Sequence, residues 1–143
     1  MITIDEMRKL GETTASMYLY KEGEFNPFIL LFTKMGVLPI PVPQENYRRI
    51  PLIAAVEGCR KAGDFLGLTM VSEAWVSPRN DADPRPPAER PDAEHRVVLN
   101  MWDEKLKKQL IIYSIIRNEK KILLGPKVNE CDEFECWLDL AFK

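Results

Sequence analysis

The sequence has few of the residues that form metal and nucleophile sites. Its 143 residues include one histidine, His95, and three cysteines, Cys59, Cys131 and Cys136. Zinc hydrolases with a His-Glu-x-x-His motif need at least two histidines, so that class is excluded. The cysteines are too few for a disulfide framework, and none has the spacing of a zinc knuckle. We therefore expect reduced cysteines, no bound metal and no other cofactor.

Long apolar segments and an excess of one charge are also absent. The longest apolar stretches, Phe28–Phe32 and Leu110–Ile116, are far shorter than the ~20 residues of a membrane-spanning helix. Lys and Arg number 20 against 22 Asp and Glu, and the net charge of −2 argues against a general nucleic-acid binder. The N-terminus lacks the basic and apolar regions of a signal peptide. These features predict a cytoplasmic protein that binds neither membranes nor nucleic acid.

The composition is that of a folded domain. Hydrophobic residues make up 45% of the chain and charged residues 29%, which excludes intrinsic disorder. A chain of this length buries roughly two-thirds of its unfolded surface and needs no covalent crosslink. We expect one domain over residues 1–143.

The N-terminal half predicts two helices and a hairpin between them. Thr3 begins a capping-box pattern, and Gly23 is a typical helix stop, so we expect a helix between them. The apolar side chains at helical spacing, expected to face the sheet, are Ile4, Met7, Leu10, Thr14, Met17 and Tyr18. Phe28–Thr33 reads as a buried strand with a return strand at Val37–Val42. Tyr47–Ala62 predicts the second helix.

Prolines at every second position mark the return strand as a sheet edge. Pro39, Pro41 and Pro43 lack amide donors, and residues two apart direct their amides to the same side of a strand. The amides of Leu38 and Ile40 then remain free to pair on the other side. This pattern is typical of an edge strand that is blocked against further pairing.

The C-terminal half predicts strands. Leu66–Ser77 has apolar side chains on both faces, which favours a central position in the sheet. Three strands in meander order follow at Arg96–Trp102, Leu106–Arg117 and Lys121–Gly125. Residues 129–143 fit either a strand or a helix, and the alternation of apolar side chains along them favours the strand.

The element order predicts an α+β fold. We expect a mostly antiparallel sheet of five to six strands with two helices packed on one face. Between the third and fourth predicted strands runs a proline-rich, charged loop at residues 78–94, longer than an ordinary connection. The opposite face of such a sheet would be open.

Glu73 is the most unusual acidic residue, because it lies within the predicted central strand beside Trp75. A buried carboxylate needs a partner, and Arg96 and Arg117 on neighbouring strands are candidates. His95 stands at the end of the proline-rich loop. The candidate binding residues are Glu73, Trp75, His95, Arg96 and Arg117, with no catalytic residue assigned. A structural Glu–Arg pair is favoured over a functional role.

Two functional hypotheses follow from these residues. The first is a non-catalytic cytosolic interaction or accessory domain that forms a homodimer, or binds a protein partner, through the open sheet face, where Trp75 lies beside Glu73. The alternative is a small hydrolase or ligand-binding enzyme with Glu73 in a cleft under the proline-rich loop. The direction and contacts of the Glu73 carboxylate distinguish them.

Short motifs in the C-terminal half resemble a known group of sequences. They are Val71-Ser-Glu-Ala-Trp75, Pro91-Asp-Ala-Glu-His-Arg-Val-Val-Leu99, Tyr113-Ser-Ile-Ile-Arg117 and Leu123-Leu-Gly125. The chain in this region is similar to a loosely defined group of small bacterial and phage-associated proteins of unknown function. The resemblance implies a bacterial or phage origin and supports the extent of the domain, but it implies no activity.

Overall fold

The computed structural model describes residues 2–76, 85–86, 89 and 94–143. Its single sheet has six antiparallel strands in the order β2-β1-β3-β4-β5-β6. The elements are α1 (Ile4–Glu22), β1 (Phe28–Thr33), β2 (Gly36–Pro41), α2 (Arg49–Lys61), β3 (Phe65–Val76), β4 (Glu94–Asp103), β5 (Lys108–Arg117), β6 (Ile122–Cys131), and 3-10 helices at Asn46–Arg48 and Trp137–Phe142. The predicted α+β class, the central β3 and the C-terminal meander are confirmed. The proline-rich loop predicted at residues 78–94 lies mostly outside the described residues.

Helix α1 begins and ends at the predicted residues. The Thr3 hydroxyl accepts a hydrogen bond from the Glu6 amide at 3.2 Å, as the capping box requires. Gly23 has a φ of 77°, a conformation that favours glycine, and its amide donates to the Leu19 carbonyl at 2.9 Å. No helix of the described residues is long and apolar enough to cross a membrane.

The buried face of α1 differs from the predicted one. The fully buried stripe runs through Met7, Gly11, Ala15 and Leu19, whereas most of the predicted apolar stripe is partly exposed. The reason is the size of Gly11, because a methyl group at that position would lie 3.0 Å from the Leu99 Cδ2 atom. The small residues let the helix pack close to the sheet.

The two helices lie on opposite faces of the sheet, which corrects the prediction that they share one face. Alternate residues of β1 point to opposite sides. Phe28, Leu30 and Phe32 pack with α1, while Ile29 and Leu31 pack with α2 and the C-terminal 3-10 helix. A strand that is apolar on both sides needs cover on both sides. We call these sides the α1 face and the α2 face.

Both edges of the sheet carry proline. The edge position of β2 is confirmed, and the Val42 amide donates inward to the Pro27 carbonyl at 3.0 Å. The backbone nitrogens of Pro39 and Pro41 therefore point away from β1, towards the outer edge of the sheet. The opposite edge, β6, carries Pro126 and two register shifts relative to β5. Prolines and bulges of this kind block the addition of another strand.

The prediction of a strand in the C-terminal tail is wrong beyond Cys131, where β6 ends. The last residues form a 3-10 helix, and Asp139 determines its start. Its Oδ2 atom accepts from the Cys136 amide at 3.1 Å, and its Oδ1 atom accepts from the buried Trp102 indole at 3.2 Å. The Lys108 ammonium lies 2.7 Å from the same Oδ1 atom. These bonds dock the tail on the α2 face, where Leu138 is fully buried.

Candidate functional site

Four of the five candidate side chains lie together on the α1 face: Glu73, Trp75, His95 and Arg117. Trp75 lies directly opposite His95 in the ladder between β3 and β4. Strand alternation places Glu73 on the same face as Val71, a core residue under α1. The group therefore forms where α1 has ended and the sheet continues.

The Glu73 carboxylate is held by the segment that follows α1. The Phe25 amide donates to Glu73 Oε2 at 3.2 Å. The other oxygen, Oε1, lies 3.8 Å from His95 Nε2, and the Glu73 side chain is only 12% exposed. Oε1 is itself buried and has no hydrogen-bond partner within the described part of the chain. The carboxylate thus points inward, towards His95.

The contacts of His95 determine which ring nitrogen carries the proton when the ring is neutral. The Arg117 Nη2 atom lies 2.9 Å from His95 Nδ1. A guanidinium group can only donate, so Nδ1 must accept, and the proton of the neutral ring is on Nε2. That proton faces Glu73 Oε1. Arg117 is therefore hydrogen-bonded to His95 Nδ1, and Glu73 faces His95 Nε2 from 3.8 Å without a hydrogen bond.

Trp75 covers the His95 ring and faces solvent. The two ring centroids are 5.2 Å apart with an interplanar angle of 25°, which is a stacked arrangement. Trp75 is 52% exposed. The hydrogen bond from Arg117 orients the His95 ring, and this ring supports the exposed indole.

Arg96 does not belong to this group, contrary to its prediction as a partner of Glu73. It alternates with His95 along β4 and so lies on the α2 face. Its guanidinium pairs with Glu94 and donates to the His95 carbonyl at 3.4 Å. The other predicted partner, Arg117, reaches Glu73 only through His95. Glu73 is thus paired with a histidine and a backbone amide rather than with an arginine.

The arrangement is poorly suited to general base catalysis. A histidine base needs a free lone pair directed at the substrate, and the lone pair of His95 Nδ1 accepts from Arg117. Four cavities among the described residues, of about 850, 710, 380 and 290 Å³, are lined by other side chains. The described residues also contain no group of three His, Cys, Asp or Glu placed to hold a metal ion.

A second polar group was not predicted from the sequence. The Tyr113 hydroxyl donates to Glu12 Oε1 at 2.6 Å, beneath a groove between α1 and strand β6. Burial raises the pKa of Tyr113, and the hydrogen bond to Glu12 raises it further. The sequence feature that could have indicated this group is a tyrosine among the aliphatic residues of β5. Nothing in that pattern identifies Glu12 as the hydrogen-bond partner of Tyr113.

No protein-family model, curated protein or solved structure matches this chain. The resemblance to small bacterial and phage-associated proteins therefore stays a prediction.

Proposed function

We propose that the protein is a non-catalytic interaction domain that forms a homodimer through the surface of Trp75, His95 and Arg117, called below the Trp75 surface. The observation that carries this proposal is the half-exposed Trp75 indole on a fixed support. Tryptophan and arginine are the residue types most enriched among energetically dominant interface contacts. A rigid aromatic side chain also loses little conformational entropy when it is buried by a partner.

The polar residues beneath Trp75 serve this role better than a chemical one. The bond from Arg117 to His95 and the facing Glu73 carboxylate fix the imidazole ring in one orientation. A ring that is fixed in this way presents Trp75 in one position. Pre-organisation of a binding surface increases affinity because less freedom is lost on association.

A second copy of this chain is the partner that fits this surface best. A twofold interface brings the same residues of both copies together, so each patch must be complementary to itself. The Trp75 surface combines an exposed indole with an exposed guanidinium from Arg117. A twofold axis between them would place each Arg117 against the Trp75 ring of the other copy, a favourable cation–π contact.

The edges of the sheet are poorly suited to forming a dimer. Prolines occupy both edge strands, so strand addition is disfavoured. The sheet face that was expected to be open, on the side of Val71, Glu73 and Trp75, carries α1, and α2 and the C-terminal 3-10 helix cover the opposite face. Association therefore depends on the end of the α1 face, where no helix of the described residues covers Trp75.

We also propose that this domain works in the cytoplasm without a membrane or nucleic-acid partner. Cys59, Cys131 and Cys136 are all free thiols, as is usual in a reducing compartment. The net charge of −2 provides no excess of cations for a phosphate backbone. Fractionation of the native cells, with and without nuclease treatment, tests this assignment.

Sedimentation velocity over a wide concentration range tests the dimer. We expect a reversible monomer–dimer equilibrium in the wild type. Trp75→Ala removes the central contact and is expected to weaken the dimer by about thirtyfold, the equivalent of a 2 kcal/mol contact. Tyr47→Ala is the matched control, because Tyr47 is an aromatic residue 66% exposed in the 3-10 segment before α2.

Two results would contradict this proposal. One is a wild-type protein that stays monomeric at the highest concentration reached. The other is a dimer that Trp75→Ala leaves unchanged while circular dichroism shows the variant to be folded. Arg117→Ala is a second variant that is expected to weaken the dimer. Arg117 is exposed, so its replacement leaves the core intact.

One observation favours the alternative enzyme hypothesis. Glu73 Oε1 is buried without a hydrogen-bond partner among the residues described, and such groups occur at functional sites. A hydrolase would show turnover of p-nitrophenyl acetate or bis(p-nitrophenyl) phosphate that His95→Asn and Glu73→Gln both abolish. We expect no turnover that depends on these residues, because the His95 lone pair is engaged by Arg117.

A further inference from the structure

A groove runs between helix α1 and the edge strand β6, away from the Trp75 surface. Its volume is about 850 Å³, within the range of small-molecule sites. Four residues spaced four apart line its helical wall, namely Arg8, Glu12, Ser16 and Tyr20. At 1.5 Å per residue this stripe is about 18 Å long. The groove is therefore elongated, and its length suits a chain of small units better than a single compact ligand.

The charged groups of the groove are already neutralised. Arg8 lies 3.2 Å from Asp5 Oδ1 and 3.5 Å from Glu12 Oε1. Lys127 on the opposite wall is paired with Glu130. An ionic ligand would have to displace one of these pairs, and none of the residues that line the groove has an unpaired charge to compensate for that loss. The lining thus favours a neutral ligand.

The floor and the helical wall present hydrogen-bonding groups without partners. Tyr113 donates its hydroxyl proton to Glu12 Oε1, so the Tyr113 oxygen can accept a further bond. No contact within the described part of the chain uses Glu12 Oε2 or the hydroxyls of Thr13 and Ser16. Hydroxyl groups both donate and accept, and their natural complement is a ligand that also does both.

Apolar surface lies beside these polar groups. Tyr20 is 53% exposed at one end of the stripe. The Lys121 ammonium donates to its hydroxyl at 2.8 Å and lies 4.6 Å from the ring centroid, so a ligand would stack on the other face of the ring. Met17 and Leu124 also line the groove. The face of an aromatic ring attracts weakly positive C–H edges, which a sugar ring presents on the faces that lack hydroxyl groups.

We propose that this groove binds a short, neutral oligosaccharide. The sugar hydroxyls bond to Glu12, Tyr113 and the two helix hydroxyls, and one sugar ring stacks on Tyr20. The proposal does not depend on the Trp75 surface, because no residue of that surface lines the groove.

Titration of ¹⁵N-labelled protein with three neutral trisaccharides tests this inference. The probes are maltotriose, cellotriose and N,N′,N″-triacetylchitotriose, with AMP as an anionic probe and choline as a cationic one. We expect at least one trisaccharide to cause saturable amide shifts confined to α1 and β6. Glu12→Gln and Tyr20→Ala are each expected to weaken this binding by about tenfold, the effect of a 1.4 kcal/mol contact. Tyr47→Ala serves again as an exposed aromatic control and is expected to have no effect.

Several outcomes would overturn the proposal. They are the absence of saturable shifts with all three trisaccharides, stronger binding of AMP or choline at the groove, and sugar binding that both variants leave unchanged. Tyr20 is exposed, so its replacement keeps the test valid if changes at the part-buried Glu12–Tyr113 pair prevent folding. A failed sugar titration has no bearing on the dimer, which is measured separately by sedimentation.

Discussion

Asp139→Ala removes a carboxylate that ties three parts of the molecule together. In the folded protein, Asp139 accepts hydrogen bonds from the Trp102 indole at 3.2 Å and from the Cys136 amide at 3.1 Å. It also forms an ion pair with Lys108 at 2.7 Å. The variant therefore loses the start of the C-terminal 3-10 helix and the bond between that helix and β4.

The contacts give the size of the effect. Trp102 is fully buried, so its N–H group loses its partner in a place without water, at a cost of about 1–3 kcal/mol. Loss of the helix cap adds about 1 kcal/mol. The Lys108 pair is partly exposed on both sides and contributes little more. We expect the free energy of unfolding to fall by about 2–4 kcal/mol in total.

Urea unfolding at pH 7, followed by tryptophan fluorescence, measures this loss. Glu135→Ala is the matched control, since Glu135 is an exposed carboxylate in the same tail and is expected to change stability by less than about 0.5 kcal/mol. Asp139→Asn keeps an acceptor for Trp102 and is expected to fall between the two. If Asp139→Ala is no less stable than Glu135→Ala, the contacts of Asp139 with Trp102, Cys136 and Lys108 do not hold the tail on the sheet.

The pH dependence supplies a second measurement of the same contact. Burial raises the pKa of the Asp139 carboxyl, but hydrogen bonds from Lys108, the Cys136 amide and Trp102 outweigh it and keep the pKa below its ordinary value. Such a group contributes stability above its unfolded pKa and loses it as the pH falls through the folded one. The difference between the wild type and Asp139→Ala is therefore full at pH 7 and shrinks below about pH 4.

Two further predictions concern the sheet. Replacing Pro39 and Pro41 together by valine restores amide groups on the outer side of β2. We therefore expect the variant to aggregate as its concentration rises, measured by static light scattering. Unchanged scattering would show that these prolines do not block the edge. A methyl group on Gly125 would meet the Ser114 hydroxyl and lie 3.0 Å from the Ser114 carbonyl oxygen, so we expect Gly125→Ala to reduce stability by about 1–3 kcal/mol. Gly58→Ala in α2, where no atom lies within 4 Å of the added group, is expected to stabilise the protein, and the opposite order in urea unfolding would contradict this reasoning.

Local signals predicted the elements well. The capping residue Thr3, the stop at Gly23 and the alternate prolines of β2 each act through a few neighbouring atoms. The strand Phe28–Thr33 was predicted at its observed bounds. The grouping of Glu73 and Trp75 with His95 could also be predicted from the sequence. Strand alternation puts Glu73 and Trp75 on one face, and the loop leads to His95 on the next strand.

Features that depend on several elements could not be predicted from the sequence. The buried apolar run of β1 required cover on both faces, but no local pattern assigns α1 to one face and α2 to the other. Arg96 was misplaced because the register between β3 and β4 decides which residues share a face. The tail was ambiguous because its apolar residues fit two periods, and the choice depended on the distant Trp102 and Lys108.

The strand order also describes how this sheet can be built during synthesis. The β1–β2 hairpin is made first, and its proline-bearing side accepts nothing further. Every later strand then adds to the other side in the order in which it leaves the ribosome: β3, β4, β5 and finally β6. β3 adds to β1, and from then on the newest strand is the one that offers free amides to the next segment of the same chain. Pro126 lies in β6, the last strand to be added, so the growing sheet pairs along a single edge that moves in one direction until β6 is in place.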